Sequence, residues 1–144
     1  MKTIVLVACG KRKQQGSHLA KDLYASPRFR SCRAIAEQYG DLWYVLSAKH
    51  GLVDPEASLE FYEQSMKSLS AAERREWQSR TIHALSQIVE PHDIVVFLAG
   101  LDYRRFVEKA MFKTGARVVA PIRGYGYPDV AWISQNLAQR SHSV

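Results

Sequence analysis

Four stretches of this chain are predominantly apolar, and the segments between them are amphipathic with a longer period. The runs are Thr3–Cys9 (TIVLVAC), 42–47 (LWYVLS), 93–100 (DIVVFLAG) and 116–121 (ARVVAP), each rich in β-branched or aromatic residues and each ending in a small, turn-forming or polar residue. Their length and composition predict four buried strands. Between the first two, Ser26 and Pro27 have the chemistry of an N-cap and first helical position. Phe29, Cys32, Ile35, Ala36 and Tyr39 then fall on one face, and Gly40 stands where a left-handed C-terminal residue is wanted. Between the second and third, Ser70 with Glu73 forms a capping box ahead of a stripe of Trp77, Thr81, Ala84, Leu85 and Ile88 that ends at Pro91. Asp102 is expected to cap a third helix carrying Phe106, Val107, Ala110 and Met111 up to Gly115, and Pro128 to open a last one through Val130, Ile133 and Leu137.

Continuous apolar strands separated by helices predict a mostly parallel sheet covered on both faces. Parallel neighbours need crossover connections, and a strand buried on both sides cannot alternate with polar residues. The expected fold is a three-layer α/β/α sandwich around a mostly parallel four-stranded sheet, with residues 1–144 as a single α/β domain. In such a sheet every carboxyl end points to one edge, which is where ligands bind.

The segments after the four strands are therefore comparable. They read CGKRKQQGSH, SAKHGL, AGLDYRR and PIRGYGYPD, each with glycine and at least one basic residue. This places Cys9, Gly10, Lys11, Arg12, Lys13, Ser47, Lys49, His50, Gly100, Asp102, Tyr103, Arg104, Arg123 and Tyr125 along one rim. The opposite rim collects EQYGD, EPHD and FKTG.

Charge sharpens the picture. The chain of 144 residues carries a formal +6, but residues 1–33 hold eight basic and one acidic side chain, 34–99 five and ten, and 100–144 seven and three. If the two basic ends meet, they form one positive face suited to a phosphate-bearing partner; a solvated basic surface is the plain alternative. Two cysteines, Cys9 and Cys32, without a closely spaced pair, read as reduced thiols, and the opening apolar run is too short to span a bilayer. The expectation is a cytoplasmic protein with no membrane partner, no cofactor and no resident metal, since the histidines at 18, 50, 83, 92 and 142 lack paired ligand spacing, while acidic residues near the edge could still bind magnesium together with a nucleotide. Oligomeric state is not legible.

Several of these residues have ordinary structural readings. The GKRKQQG loop lacks the Gly-Lys-Ser/Thr ending of a Walker loop and reads equally as an exposed basic turn, and Cys9 as a small buried hydrophobe. His50, with Lys49 and Ser47, offers an acid, a base and a donor in one loop. Tyr39, Trp77 and Trp132 read as core, whereas Tyr62, Tyr103, Tyr125 and Tyr127 lie among polar or glycine-rich neighbours and could stack on a base.

Taken together, LVACGKRK, AKDLYASPRFR, WYVLSAKHGLVDPE, Tyr62 and APIRGYGYPDVAWI resemble a bacterial and phage family catalogued as a domain of unknown function. That family is distantly similar to the YaaA peroxide-stress proteins and more loosely to folds of the uracil-DNA-glycosylase kind. The resemblance rests on Cys9, Lys11, Lys13, Leu23, Tyr24, Ser26, Ser47, Lys49, His50, Gly51, Asp54, Pro121, Arg123 and Gly124. The chain departs from the family pattern at Tyr125, Gly126, Tyr127 and Pro128. The resemblance implies an α/β domain acting on nucleic acids or nucleotides, often in phage-defence or base-modification settings. It places Tyr24 and Ser26 among the binding residues.

The leading expectation is an enzyme that cleaves the N-glycosidic bond of a base. His50, Lys49 and Ser47 would serve the departing base, Asp54 or Asp102 the sugar, and Lys11, Arg12, Lys13 and Arg123 the phosphates, with Tyr62 or Tyr103 stacking on the base. His50→Ala is then expected to abolish base release. A second expectation is a non-catalytic nucleotide or nucleic-acid sensor. A third is a phosphoesterase or transferase with Cys9 as nucleophile, against which the absence of a Cys-x5-Arg loop counts.

Overall fold

The computed structural model describes residues 1–139, and the side chain of Tyr125 together with His142 lies outside the described residues. In chain order the elements are β1 (Thr3–Ala8), β2 (Ser17–Leu19), α1 (Ala20–Leu23), α2 (Pro27–Tyr39), β3 (Leu42–Ser47), β4 (Gly51–Val53) and β5 (Ser58–Glu60). They continue with α3 (Ala71–Ser86), β6 (Ile94–Leu98), α4 (Leu101–Lys113), β7 (Arg117–Val119), β8 (Ile122–Arg123), β9 (Tyr127–Pro128) and α5 (Val130–Asn136).

The main sheet has five strands in the order β4-β3-β1-β6-β7. β1 pairs in parallel with β3 on one side and β6 on the other, and β6 pairs in parallel with β7. These four are the apolar runs of the sequence. The expected count of four is corrected to five by β4, which pairs antiparallel to β3 at the edge. Three residues are too few to show a period, so the sequence reads them as loop. From Ile4 to Ala8 every residue of β1 is buried, as a strand covered on both faces requires. Two further ribbons, β2 with β5 and β8 with β9, stand outside this sheet.

Helix α2 forms as its sequence predicts. Ser26 Oγ accepts from Phe29 N at 3.1 Å, Pro27 opens the first turn, and Phe29, Cys32, Ile35, Ala36 and Tyr39 are the buried face. Gly40 is a correction, since its φ of −84° is not left-handed. Its glycine is explained by crowding: a Cβ there would lie 2.8 Å from both Ala36 O and Leu42 O and 3.1 Å from Val5 Cγ2. The α3 capping box is present, with Ser70 N donating to Glu73 Oε1 at 2.9 Å and Glu73 N to Ser70 Oγ at 3.1 Å.

The later helices start differently from expectation. Gly100, not Asp102, is the N-cap of α4, and Asp102 sits in its first turn. Pro128 belongs to β9, and Asp129 caps α5 by accepting from Trp132 N at 3.1 Å. Val107 and Met111 are buried in α4, but Phe106, expected on the same face, is 52% exposed.

The amino edge of the sheet is closed by carboxylates. Buried Asp93 accepts from Lys2 N at 2.9 Å, Lys2 Nζ at 2.7 Å and Glu90 N at 2.8 Å, and Asp41 Oδ2 accepts from Thr3 N at 2.7 Å. Burial alone would raise the Asp93 carboxyl, but these N–H donors and the Lys2 charge outweigh it and hold it below its ordinary value. Asp93→Ala is expected to cost about 2–3 kcal/mol in urea unfolding, as the loss of hydrogen bonds to a charged group. Because the folded-state value is depressed, this contribution is complete above the unfolded carboxyl value of about 3.9 and disappears as pH falls through the lower folded value. The variant should therefore show a shallower loss of stability in that acid window than the parent chain.

Candidate functional site

The carboxyl edge of the sheet carries a cavity of about 370 Å³. Cys9 and Gly10 reach it directly from β1, Tyr103 from the first turn of α4, Arg28 from the first turn of α2, and Lys11 and Lys13 from the basic loop. Its remaining wall is the segment after β5: Phe61, Glu63, Gln64, Ser65, Met66 and Lys67.

Two devices bring that segment and the basic loop together. The β2–β5 ribbon pairs Ser17 with Glu60 and Leu19 with Ser58, and Phe61 N donates to Gly16 O at 3.1 Å, where Gly16 has a left-handed φ of 85°. The basic loop itself is tied down by Gln14 N to Leu23 O at 2.8 Å, Ala25 N to Arg12 O at 2.9 Å and a bridge between Lys13 and Tyr24. It is therefore no free basic turn. Gly10 allows its close approach, since a Cβ there would lie 3.0 Å from Ser26 Oγ.

Beside the cavity runs a chain of three buried hydroxyls. Ser47 Oγ lies 2.6 Å from Tyr62 OH, which lies 2.7 Å from Tyr24 OH. Ser47 Oγ also accepts from Lys49 N at 3.3 Å and His50 N at 3.1 Å, and its carbonyl accepts from Trp77 Nε1 at 2.7 Å. Burial, followed by the proximity of Cys9, pushes the Tyr24 phenol up to about 12 and raises Tyr62 and Tyr103 as well. All three phenols are protonated at neutral pH. Lys13 Nζ stands 4.5 Å from the Tyr62 ring centroid and 5.8 Å from that of Tyr24, a cation–π arrangement that holds the amine at the cavity wall. Burial lowers the Lys13 ammonium from its ordinary value, while Cys9 and Glu63 act the other way. Cys9 Sγ and Tyr103 OH are 3.2 Å apart.

The expected site residues separate into three groups. Cys9, Gly10, Lys11, Lys13 and Tyr103 line the cavity. Ser47, Tyr24, Tyr62 and Ser26 lie behind it as buried or capping groups, with Tyr62 only 5% exposed and so not a free stacking surface. Lys49, His50, Arg12, Gly100, Arg104, Arg123, Gly124 and Asp54 do not line it. His50 packs edge-on to the Tyr62 ring at 5.3 Å, and burial together with Lys49 and Arg80 lowers its imidazole from the ordinary value, favouring the neutral form. Arg104 is committed to Ala99 O at 3.0 Å and to Glu108 at 2.6 Å. Gly124 opens a short 3-10 turn ending at Gly126, which packs against Arg28.

Asp54 is carried away by β4. Ser47 pairs with Gly51 and Val45 with Val53, so the chain reverses on Gly51, whose φ is 77°, and runs back toward the amino edge. Three residues of strand amount to about 10 Å. Asp54 accepts from Glu56 N at 2.8 Å, and its charge helps to raise the phenol of Tyr44 after burial has done so.

Sequence reasoning missed Arg28, Glu63, Gln64, Ser65 and Lys67. Only the polar, aperiodic run from Tyr62 to Ser68, set between β5 and a capping box, hints at a functional loop. The cavity thus offers four cations, Lys11, Lys13, Arg28 and Lys67, against one carboxylate, Glu63. This set can bind phosphate and place a single carboxylate beside it. Among the described residues no group of three His, Cys, Asp or Glu could hold a metal ion, and no helix is long and apolar enough to cross a membrane.

Tyr62→Phe keeps the ring under Lys13 but strands the hydroxyls of Ser47 and Tyr24. The expected cost is about 1–3 kcal/mol in urea unfolding, with an unchanged m-value.

No solved structure matches the chain. The uncharacterized protein YfjM of Bacillus subtilis (strain 168) is 37% identical over 62 residues, which cover 39% of this chain and 41% of that protein, so the chain spans less than half of the curated relative. The model of a family of unknown function, DUF6884, matches residues 4–135, and the chain belongs to that family.

Proposed function

We propose that the cavity takes one nucleotide unit, free or within a nucleic acid, and that the protein hydrolyses its N-glycosidic bond. The observation that carries this reading is the pairing of four cations with one carboxylate, Glu63, in a cavity of about 370 Å³ at the carboxyl edge of a parallel sheet. That volume falls within the range of about 300–1,000 Å³ for small-ligand sites.

Breaking the bond between C1′ and the base nitrogen develops positive charge on the sugar and negative charge on the departing base. Glu63 replaces Asp54 as the carboxylate that stabilises the sugar cation and orients water toward C1′. The hydroxide part of that water bonds to C1′, and its proton ends on the departing base. Lys13 and the Tyr103 hydroxyl serve as donors on the base side, and Lys11, Arg28 and Lys67 hold phosphate. Right-handed crossovers through α2, α3 and α4 would set α2 on one face and the other two helices on the opposite one, completing the three-layer sandwich and leaving this edge open. A cytoplasmic setting, a role in base modification or phage defence, and kinship with YaaA-like and uracil-DNA-glycosylase-like folds belong to the same reading.

A binding domain without turnover is the second reading. It is favoured by the exclusion of Lys49, His50 and Asp54 from the cavity lining. It predicts tight, salt-sensitive binding with no product.

Incubation with single- and double-stranded DNA, RNA and mononucleotides, some carrying modified bases, with mass spectrometry of released base, separates the two. Release should fall about 100-fold or more in Glu63→Gln and much less in His50→Ala. Binding without any released base would leave only the second reading.

A further inference from the structure

The face formed by α3 and α4 carries two depressions beyond the cavity. The nearer, of about 580 Å³, is lined by Leu69, Ala71, Arg74, Arg75, Gln78 and Phe106. The farther, of about 680 Å³, shares Arg75, Gln78 and Phe106 and adds Ile82, Lys109 and Lys113 among others. Among the described residues, no acidic side chain lines either one.

The nearer one adjoins the cavity through Arg74. Arg74 donates to the carbonyl of Met66, a cavity residue, at 3.1 Å, and its Nε has no partner. Tyr103, in the cavity, and Phe106, in both depressions, are three residues apart on α4 and so lie on adjacent turns. From Tyr103 to Lys113 the helix rises about 15 Å, enough for about four stacked nucleotides at about 3.4 Å each. Phe106 is 52% exposed on the floor of this track, flanked by cations.

We propose that the substrate is a single-stranded nucleic acid whose chain leaves the cavity and runs along the α3–α4 groove, with Arg75, Lys109 and Lys113 on its phosphates and Phe106 stacked on a base. This rests on the cavity being a nucleotide site, but not on its being catalytic. An aromatic platform between cations is the arrangement by which strands are held without regard to sequence. An acidic peptide would match the charge and leave Phe106 unused. A free nucleotide would need neither.

The test is fluorescence anisotropy of the full chain with short labelled oligodeoxythymidylate and oligouridylate, alongside thymidine monophosphate binding. Phe106→Ala and the double variant Lys109→Ala/Lys113→Ala should each weaken oligonucleotide binding about tenfold. The double variant should also reduce the slope of log affinity against log salt by about 1.4, and both should leave mononucleotide binding unchanged. The proposal is overturned by unchanged oligonucleotide affinity in these variants, by polyglutamate competing as well as the oligonucleotide, or by sedimentation showing a dimer that Phe106→Ala dissociates. Lys11→Ala reports on the cavity separately. If it abolishes mononucleotide binding while the groove variants change nothing, the groove fails and the cavity reading stands. Groove-dependent binding with no released base keeps the groove and the nucleotide site and overturns only the hydrolysis.

Discussion

The arrangement depends on one strand that has no exposed face and no free edge. β1 is hydrogen-bonded to parallel neighbours on both sides and buried above and below, which forces every connection among β1, β3, β6 and β7 to cross over the sheet. All four carboxyl ends consequently share an edge. The two edges are then treated differently by the sequence. At the amino edge Asp93 and Asp41 consume the backbone donors of β1 and its neighbours, fastening the strands where no ligand is needed. At the carboxyl edge the equivalent positions are occupied by small or polar residues, Cys9, Ser47 and Gly100, and the space beyond them is left to loops.

Those loops make a cavity whose charge is set by pieces distant in sequence. The excess of cations from the first third of the chain arrives through the basic loop and the first turn of α2, while the acidic middle third contributes both Glu63 and Lys67. The ribbon of β2 and β5 is the mechanical reason these meet. Without its pairing, the segment bearing Glu63 would have no cause to lie over the loop bearing Lys11 and Lys13. Lys13 is altered by the assembly: a side chain that reads as a solvated phosphate holder has its amine resting on two tyrosine rings.

What the sequence discloses follows the strength of its periodic signals. The four apolar runs, the buried stripe of α2 and the Ser70–Glu73 capping box are visible because each repeats a physical requirement over several residues. β4 is invisible because it is three residues long, and its reversal at Gly51 is why Asp54 lands far from the cavity despite lying seven positions from Ser47. The family resemblance places Ser26 and Tyr24 among the binding residues, although Ser26 also reads as an N-cap. One is spent on a helix cap and the other on a buried hydroxyl contact. Glu63 carries no motif, and only tertiary pairing brings it to the site. Phe106 fits a buried stripe by spacing, yet among the described residues it is left half exposed.

The hydroxyl row beside the cavity also has a polarity. Ser47 Oγ already accepts from the amides of Lys49 and His50, which favours its giving its own hydrogen to Tyr62. Three hydrogens serve two oxygen–oxygen contacts, and one is left over on the tyrosine side. The tight turn after β3 thereby orders the whole row from the sheet outward, and any change that freed either amide would let the row reverse its direction.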